Sequence, residues 1–159
     1  FALMDFIGND INFQVTEIVY NSFFQDPKYR PSFTQKRLVE AGYFGVKTGR
    51  GFYSYAENAN RPIVNITPAD AQYISDRIVI MLINEAVDAL FFNIATKEDI
   101  EISMTKGVNY PKGLLRWADD FGIEECVKRM DDLFNVYHDT RYRCSPLLRK
   151  MTKLNQKFY

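Results

Sequence analysis

Between Gly45 and Tyr53 the chain reads Gly-Val-Lys-Thr-Gly-Arg-Gly-Phe-Tyr, three glycines around Lys47 and Arg50. Such a stretch can hold a phosphate, because backbone N–H groups approach an anion closely where no Cβ intervenes and a cation completes the site. A phosphate loop of the GxxxxGK[ST] kind also needs a strand before it and a helix after it. Here the glycines follow a helix stop at Gly42 and run into Phe52-Tyr53-Ser54-Tyr55. Neither flank suits. The sequence favours a tight reversal in which the glycines supply positive φ while Phe52 and Tyr53 dock on the helices behind it. The competing reading puts Lys47 and Arg50 on a phosphate or on another domain.

Other chemistry-bearing residues are sparse. His138 is the only histidine, so a zinc site, a Ser-His-Asp triad or a histidine base would all rest on it. Cys126 and Cys144 stand eighteen positions apart without a CxxC or Cys/His grouping and read as two reduced thiols of a cytoplasmic protein. No metal site is expected. Glu85 lies among Met81, Leu82 and Ala89 on a long helical stretch, where burial could make it a general acid or base. The plainer reading joins it with Asn84 as a polar anchor between helices. Trp117 reads as a core anchor, and the basic run Leu148-Arg-Lys-Met-Thr-Lys-Leu-Asn-Gln-Lys157 as an amphipathic helix with solvated lysines. No residue is expected to be catalytic.

The elements that must position these residues are helical. The chain has 159 residues, 47% hydrophobic and 25% charged, with twenty basic and twenty acidic side chains, thirteen Phe and ten Tyr. It can bury a core, and its zero net charge recruits neither nucleic acid nor an anionic membrane. No apolar run approaches the ~18 residues of a membrane span. No signal peptide is evident. The aromatic content points to large interfaces. Ile11, Val15, Ile18, Val19 and Phe23 recur with helical period from a start at Asn9 or Asp10, and Pro27 and Pro31 break that helix. Ser32 with Gln35 forms the pattern of a capping box, and Gly42 marks the stop. Residues 57–67 read as a linker. Thr67, Pro68 and Asp70 then signal a helix start, and the helix can run to Phe92. Thr96 with Asp99 begins another that ends near Gly107, followed by short helices over 114–121 and 123–138 and a last one opened by Ser145-Pro146. The expected class is all-α.

The sequence also repeats. Leu3-Met4-Asp5-Phe6-Ile7-Gly8 is answered by Trp117-Ala118-Asp119-Asp120-Phe121-Gly122, and Asp26-Pro-Lys-Tyr-Arg-Pro-Ser-Phe33 by Asp139-Thr-Arg-Tyr-Arg-Cys-Ser-Pro146. Gly8 and Gly122 are 114 positions apart, Tyr29 and Tyr142 are 113 apart, so a one-residue gap aligns both pairs. We read an internal duplication: a first copy over 1–56, a linker over 57–67 and a second copy over 68–159. Recurrence of Asp5 and Asp119 at one place in both copies argues for a turn or cap duty over catalysis. Tyr29-Arg30 and Tyr142-Arg143 are expected to be struts between helices.

These motifs resemble the C-terminal domain of the 3-hydroxyacyl-CoA dehydrogenases, in the variety that carries it twice. The resemblance rests on Lys47-Thr-Gly-Arg-Gly-Phe-Tyr53 after a helix stop, Asn84-Glu85-Ala86, the Ala95-Thr-x-Glu-Asp-Ile100 segment and Tyr110-Pro-Lys-Gly113, in that order, and covers nearly the whole chain. It implies a helical domain of the 6-phosphogluconate dehydrogenase C-terminal-like type, in two tandem copies with the first truncated. It further implies oxidation of a 3-hydroxyacyl-CoA to the 3-ketoacyl-CoA with NAD, in fatty-acid, butyrate or phenylacetate metabolism. The dinucleotide and a catalytic His-Glu pair would sit in a Rossmann domain whose GxGxxG is absent here. The chain is therefore expected to bind no cofactor alone, to be inactive alone, and to partner its own Rossmann domain, the acyl-CoA and further copies of itself. Lys47 and Arg50 are the candidates for contact with a CoA phosphate. Where the family has an Asn-Arg pair near the substrate, the second copy has Asp76-Arg77, a carboxylate that accepts where an amide would donate. That copy reads as structural. The alternative is a stand-alone helical interaction module without activity.

Overall fold

Glycines at positive φ and side-chain caps divide the chain into short helices and one long one. The computed structural model describes residues 1–57 and 65–159. Residues 58–64, most of the expected linker over 57–67, lie outside the described residues. The chain divides into two units, Phe1–Asn65 and Ile66–Tyr159.

In the first unit α1 (Ala2–Ile7) and α2 (Asn9–Ser22) meet at Gly8, whose φ of 112° bends the chain between them. A 3₁₀ turn, Pro27–Tyr29, follows, opened by the Asp26 carboxylate accepting from the Lys28 N–H. Then come α3 (Phe33–Glu40), with Gly42 at φ 71° just beyond its end, and a short turn over Val46–Thr48.

The second unit opens with α4 (Pro68–Phe91), 24 residues and about 36 Å at 1.5 Å per residue. The Thr67 hydroxyl accepts from the Asp70 N–H at 3.1 Å and donates to the Asp70 carboxylate at 2.7 Å, as the start signals predict. Thr96 caps α5 (Lys97–Ile102) in the same way. That helix widens into a π turn over Ser103–Gly107. Next are α6 (Leu114–Phe121), α7 (Ile123–Tyr137), a 3₁₀ turn over Thr140–Tyr142 and α8 (Pro146–Leu154). Among the described residues there is no strand, only the isolated pairings Gly45–Arg50 and Arg50–Ser54. The fold is all-α.

One order of elements occurs in both units. A helix, a glycine at positive φ, a longer helix, an aspartate-led 3₁₀ turn and a third helix run from α1 to α3 and from α6 to α8. Among the described residues, only the second unit places a long helix, α4, against this layer. Ile80, Ile83 and Val87 of α4 are buried on Leu115 and Ala118 of α6, Cys126 and Met130 of α7, and Leu148 and Met151 of α8. Each fully buried aliphatic side chain of this kind contributes roughly 2 kcal/mol.

Ile11, Val15 and Ile18 lie along one face of α2, as their period indicates. That face is open, with Ile18 56% exposed, while α2 buries Asn9 and Phe13. Periodicity identifies a helix face without telling what covers it. Ser32 precedes α3 with no side-chain cap bond, so its capping-box pattern is not used.

Candidate functional site

The glycine-rich turn does hold an anion, and the anion is the protein's own. Asp5, at the middle of α1, is 1% exposed and takes four hydrogen bonds. The Phe52 N–H and the Asn9 side-chain amide donate to Oδ1, both at 2.9 Å; the Tyr53 N–H and the Tyr55 hydroxyl donate to Oδ2, both at 3.0 Å. Burial alone would raise this carboxyl's pKa. The bonds from Tyr53, Phe52, Asn9 and Tyr55 outweigh it and hold the pKa below the usual carboxylate value.

The glycines are explained by the same arrangement. A Cβ on Gly45 would collide with the Asp5 backbone carbonyl, and one on Gly51 with the Asp5 carboxylate itself. Gly45 also sits at φ 107°, which side chains rarely adopt. The turn closes around Asp5 by a Gly45 N–H to Arg50 carbonyl bond of 2.7 Å, and the Phe52 ring stacks on Phe1 at 4.5 Å. Phe52 and Tyr53 thus dock through their backbone N–H groups, and Phe52 through its ring as well.

Lys47 and Arg50 take partners other than this carboxylate. The Lys47 ammonium pairs with Asp10 at 2.6 Å, a bond that lowers the Asp10 pKa. The Arg50 guanidinium lies 4.2 Å from the centre of the Tyr43 ring. Both are exposed.

Asp119, at the matching place on α6, makes the matching clamp. Its carboxylate accepts from the Phe158 and Tyr159 N–H groups, each at 2.9 Å. The second unit therefore has a Phe-Tyr element of its own, Phe158-Tyr159, without the glycine turn that precedes it in the first unit. Asp139 opens its 3₁₀ turn as Asp26 does, by accepting from the N–H two residues on. Tyr142 packs on Tyr137 at 5.3 Å as Tyr29 packs on Phe23 at 4.5 Å.

The other polar residues settle into identifiable duties. Asn84, fully buried on α4, donates to the Arg143 carbonyl at 3.1 Å and accepts from the Ser145 N–H at 2.7 Å, so it ties α4 to the start of α8. Glu85, its neighbour, is half-buried. Trp117 packs on the core and against Tyr110 at 5.8 Å. Glu101 was not visible as functional in the sequence; its carboxylate accepts from the Leu115 N–H at 2.9 Å and caps α6, and a Cβ on Gly113 would collide with it. His138 ends α7 at φ 48°, exposed, its ring edge-on to Phe134 at 6.1 Å. Cys126 and Cys144 are free and buried, and burial pushes their thiols up to about 12 and about 11. Thiols so placed are poor nucleophiles at neutral pH.

Asp76 and Arg77, adjacent on α4, take different partners. Asp76 accepts from Arg129 of α7 at 2.8 Å and from Gln72 at 2.7 Å, and the Arg129 bond lowers its pKa. It is thus an ionised acceptor consumed by a bridge between helices. Arg129 also pairs with Glu125 at 2.8 Å. Arg77 donates to the hydroxyls of Tyr137, at 3.1 Å, and Tyr142, with its guanidinium 4.5 and 5.2 Å from the two ring centres. These residues border a cleft of about 530 Å³ between the first half of α4 and α7. Nothing in the spacing of Arg77, Arg129 and Tyr137 announces this cluster.

Comparison with known proteins gives the geometry its context. A family model described as 3-hydroxyacyl-CoA dehydrogenase, C-terminal domain, matches residues 1–55 and 73–157. A 3-hydroxyadipyl-CoA dehydrogenase of Escherichia coli K12 is 27% identical over 98% of this chain and 51% of the relative. A 3-hydroxybutyryl-CoA dehydrogenase of Clostridioides difficile is 36% identical over 58% of this chain and 34% of its own length. The chain thus spans about half the length of the first of these relatives and a third of the second. The crystal structure of a 3-hydroxybutyryl-CoA dehydrogenase from E. coli K12 superposes over 96% of this chain and 50% of the other, with a TM-score of 0.82 and 26% identity. Matched in both of its units and over most of its length, the chain belongs to the family of 3-hydroxyacyl-CoA dehydrogenase C-terminal domains.

Proposed function

We propose that this chain is the substrate-side and dimerisation region of an NAD-dependent 3-hydroxyacyl-CoA dehydrogenase, built from two copies of one helical domain. The observation that carries the reading is the family match on both sides of the division between the units. The shared clamp, in which Asp5 and Asp119 each receive two N–H groups of a Phe-Tyr pair, supports common descent of the two copies.

The residues described here do not fit a dinucleotide. The two N–H groups that follow the glycine turn are taken by Asp5 and are not offered to a pyrophosphate. NAD, the proton-abstracting histidine and the hydride transfer are assigned to a Rossmann domain, and the chain by itself is proposed to be inactive. Its own part is to wall the acyl site and exclude water. Arg50, which has no ion pair among the described residues, and Lys47 after release from Asp10, are the cations proposed for a CoA phosphate. The proposed substrate is a short 3-hydroxyacyl-CoA thioester, the proposed pathway fatty-acid, butyrate or phenylacetate metabolism and the proposed compartment the cytoplasm; relatives named 3-hydroxyadipyl-CoA and 3-hydroxybutyryl-CoA dehydrogenase support the choice of substrate.

The test is calorimetric titration of the chain with acetoacetyl-CoA, with NADH as the control. Saturable heat with the thioester and none with NADH is the expected result. Heat with NADH, or none with the thioester, removes the substrate-side reading. The exposed Ile11, Val15 and Ile18 favour self-association as the partner proposal. A monomeric mass by light scattering at high concentration would count against it.

A further inference from the structure

The cleft between α4 and α7 has a charge pattern that the dehydrogenase reading does not use. Arg116, Arg129, Arg141 and Arg149 of the second unit each lie within ion-pair distance of a carboxylate. Arg77, which borders the cleft, has no carboxylate partner among the described residues; its two bonds go to tyrosine hydroxyls. A guanidinium has five N–H donors, so donors remain. Tyr137 accepts from Arg77, which leaves its own O–H proton free to donate beside the guanidinium. Both phenol rings stack on the guanidinium and fix its plane.

The walls on either side are apolar: Ile80 and Leu133 are buried at the base, and Tyr73 and Val136 stand at the mouth. Its volume of about 530 Å³ lies within the range of small-molecule sites, roughly 300–1,000 Å³. The remaining charges set a limit. Arg129 is shared by Asp76 and Glu125, and exposed Asp132 also borders the cleft, so three carboxylates face two guanidiniums. That excess repels a polyanion such as a nucleotide or a CoA ester, while one planar carboxylate can still dock on Arg77.

We propose that this cleft binds a singly charged amphiphilic carboxylate, a free medium-chain acid, with its head on Arg77 and the Tyr137 hydroxyl and its chain between Ile80, Leu133 and Val136. The site lies wholly within the second unit and stands independently of the dehydrogenase reading.

The test uses the whole chain and sodium octanoate as the probe, followed by calorimetry and by the NMR signals of the Tyr137 ring. Octanoate should bind saturably at one site, shift those signals, and exceed octanol and octylammonium by about tenfold or more. Octanoyl-CoA should not displace it. Arg77→Met should weaken octanoate about tenfold. Val136→Glu changes an exposed wall residue without touching the Arg77 bonds, and should weaken it likewise by placing a second carboxylate at the mouth. Octanoate that fails to saturate, octanol or octylammonium that binds as well, or an unchanged affinity in Val136→Glu would each overturn the proposal.

Discussion

Between the end of α3 and the Phe-Tyr pair the first unit has eleven residues, 41–51; between the end of α8 and its Phe-Tyr pair the second has three, 155–157. Both routes deliver two backbone N–H groups to an aspartate on the preceding layer. The longer one adds a closed turn, the Tyr55 hydroxyl and near-complete burial, whereas Asp119 remains half-buried. The difference teaches that a glycine-rich, basic turn can be an anion site whose anion is internal. Its glycines are there because the carboxylate is close, not because a ligand is.

That comparison is most sharply broken by removing the carboxylates. Asp5→Ala removes the acceptor of two part-buried N–H groups, of the Asn9 amide and of the Tyr55 hydroxyl, and should cost about 3 kcal/mol or more. Asp119→Ala strands two N–H groups near solvent and should cost about 1 kcal/mol. Urea unfolding of both variants, with amide exchange at Tyr53 and Tyr159 as local readouts, checks the ratio. Equal losses would mean that the longer turn adds nothing to the clamp.

Next in size is Asn84→Ala, which removes the shared partner of the Arg143 carbonyl and the buried Ser145 N–H. The expected loss is about 2 kcal/mol. It should appear as lower stability by the fluorescence of Trp117, the sole tryptophan, which packs on the same core. An unchanged midpoint would remove Asn84 as the tie between α4 and α8.

The pH dependence discriminates further. Because the folded state holds the Asp5 pKa down, its contribution is fully present above the unfolded value of about 4 and is lost as pH falls through the lower folded value. Wild type should therefore lose more stability than Asp5→Asn between neutral pH and about pH 3. Parallel curves would show that the clamp does not depend on the ionised form.

How much of this was legible depends on what each residue needs. Helix starts at Thr67 and Thr96 were readable because a cap is a local contact within three residues. The paired aspartates were readable as structural because they recur, but their partners lie 47 and 39 positions downstream, and no local pattern gives that distance. The stripe Ile11, Val15, Ile18 was readable as a helix face, but its exposure was not, because spacing carries no information on the neighbour. Arg77 was singled out for its sequence position beside Asp76, yet its partners Tyr137 and Tyr142 come from α7 and the turn beyond it, brought together only by packing.

The smallest effect separates a cap in sequence from a cap in space. Thr67 and Ser32 both precede a helix, and both have the residue type and extended backbone of an N-cap. Thr67 bonds the N–H of Asp70, so Thr67→Ala should cost about 1 kcal/mol. The Ser32 side chain makes no such bond, so Ser32→Ala should change stability by less than about 0.3 kcal/mol. Thermal unfolding of the two variants side by side decides the matter. A loss at Ser32 as large as that at Thr67 would mean that the capping box reads true in solution and that α3 starts one bond more firmly than its geometry here provides.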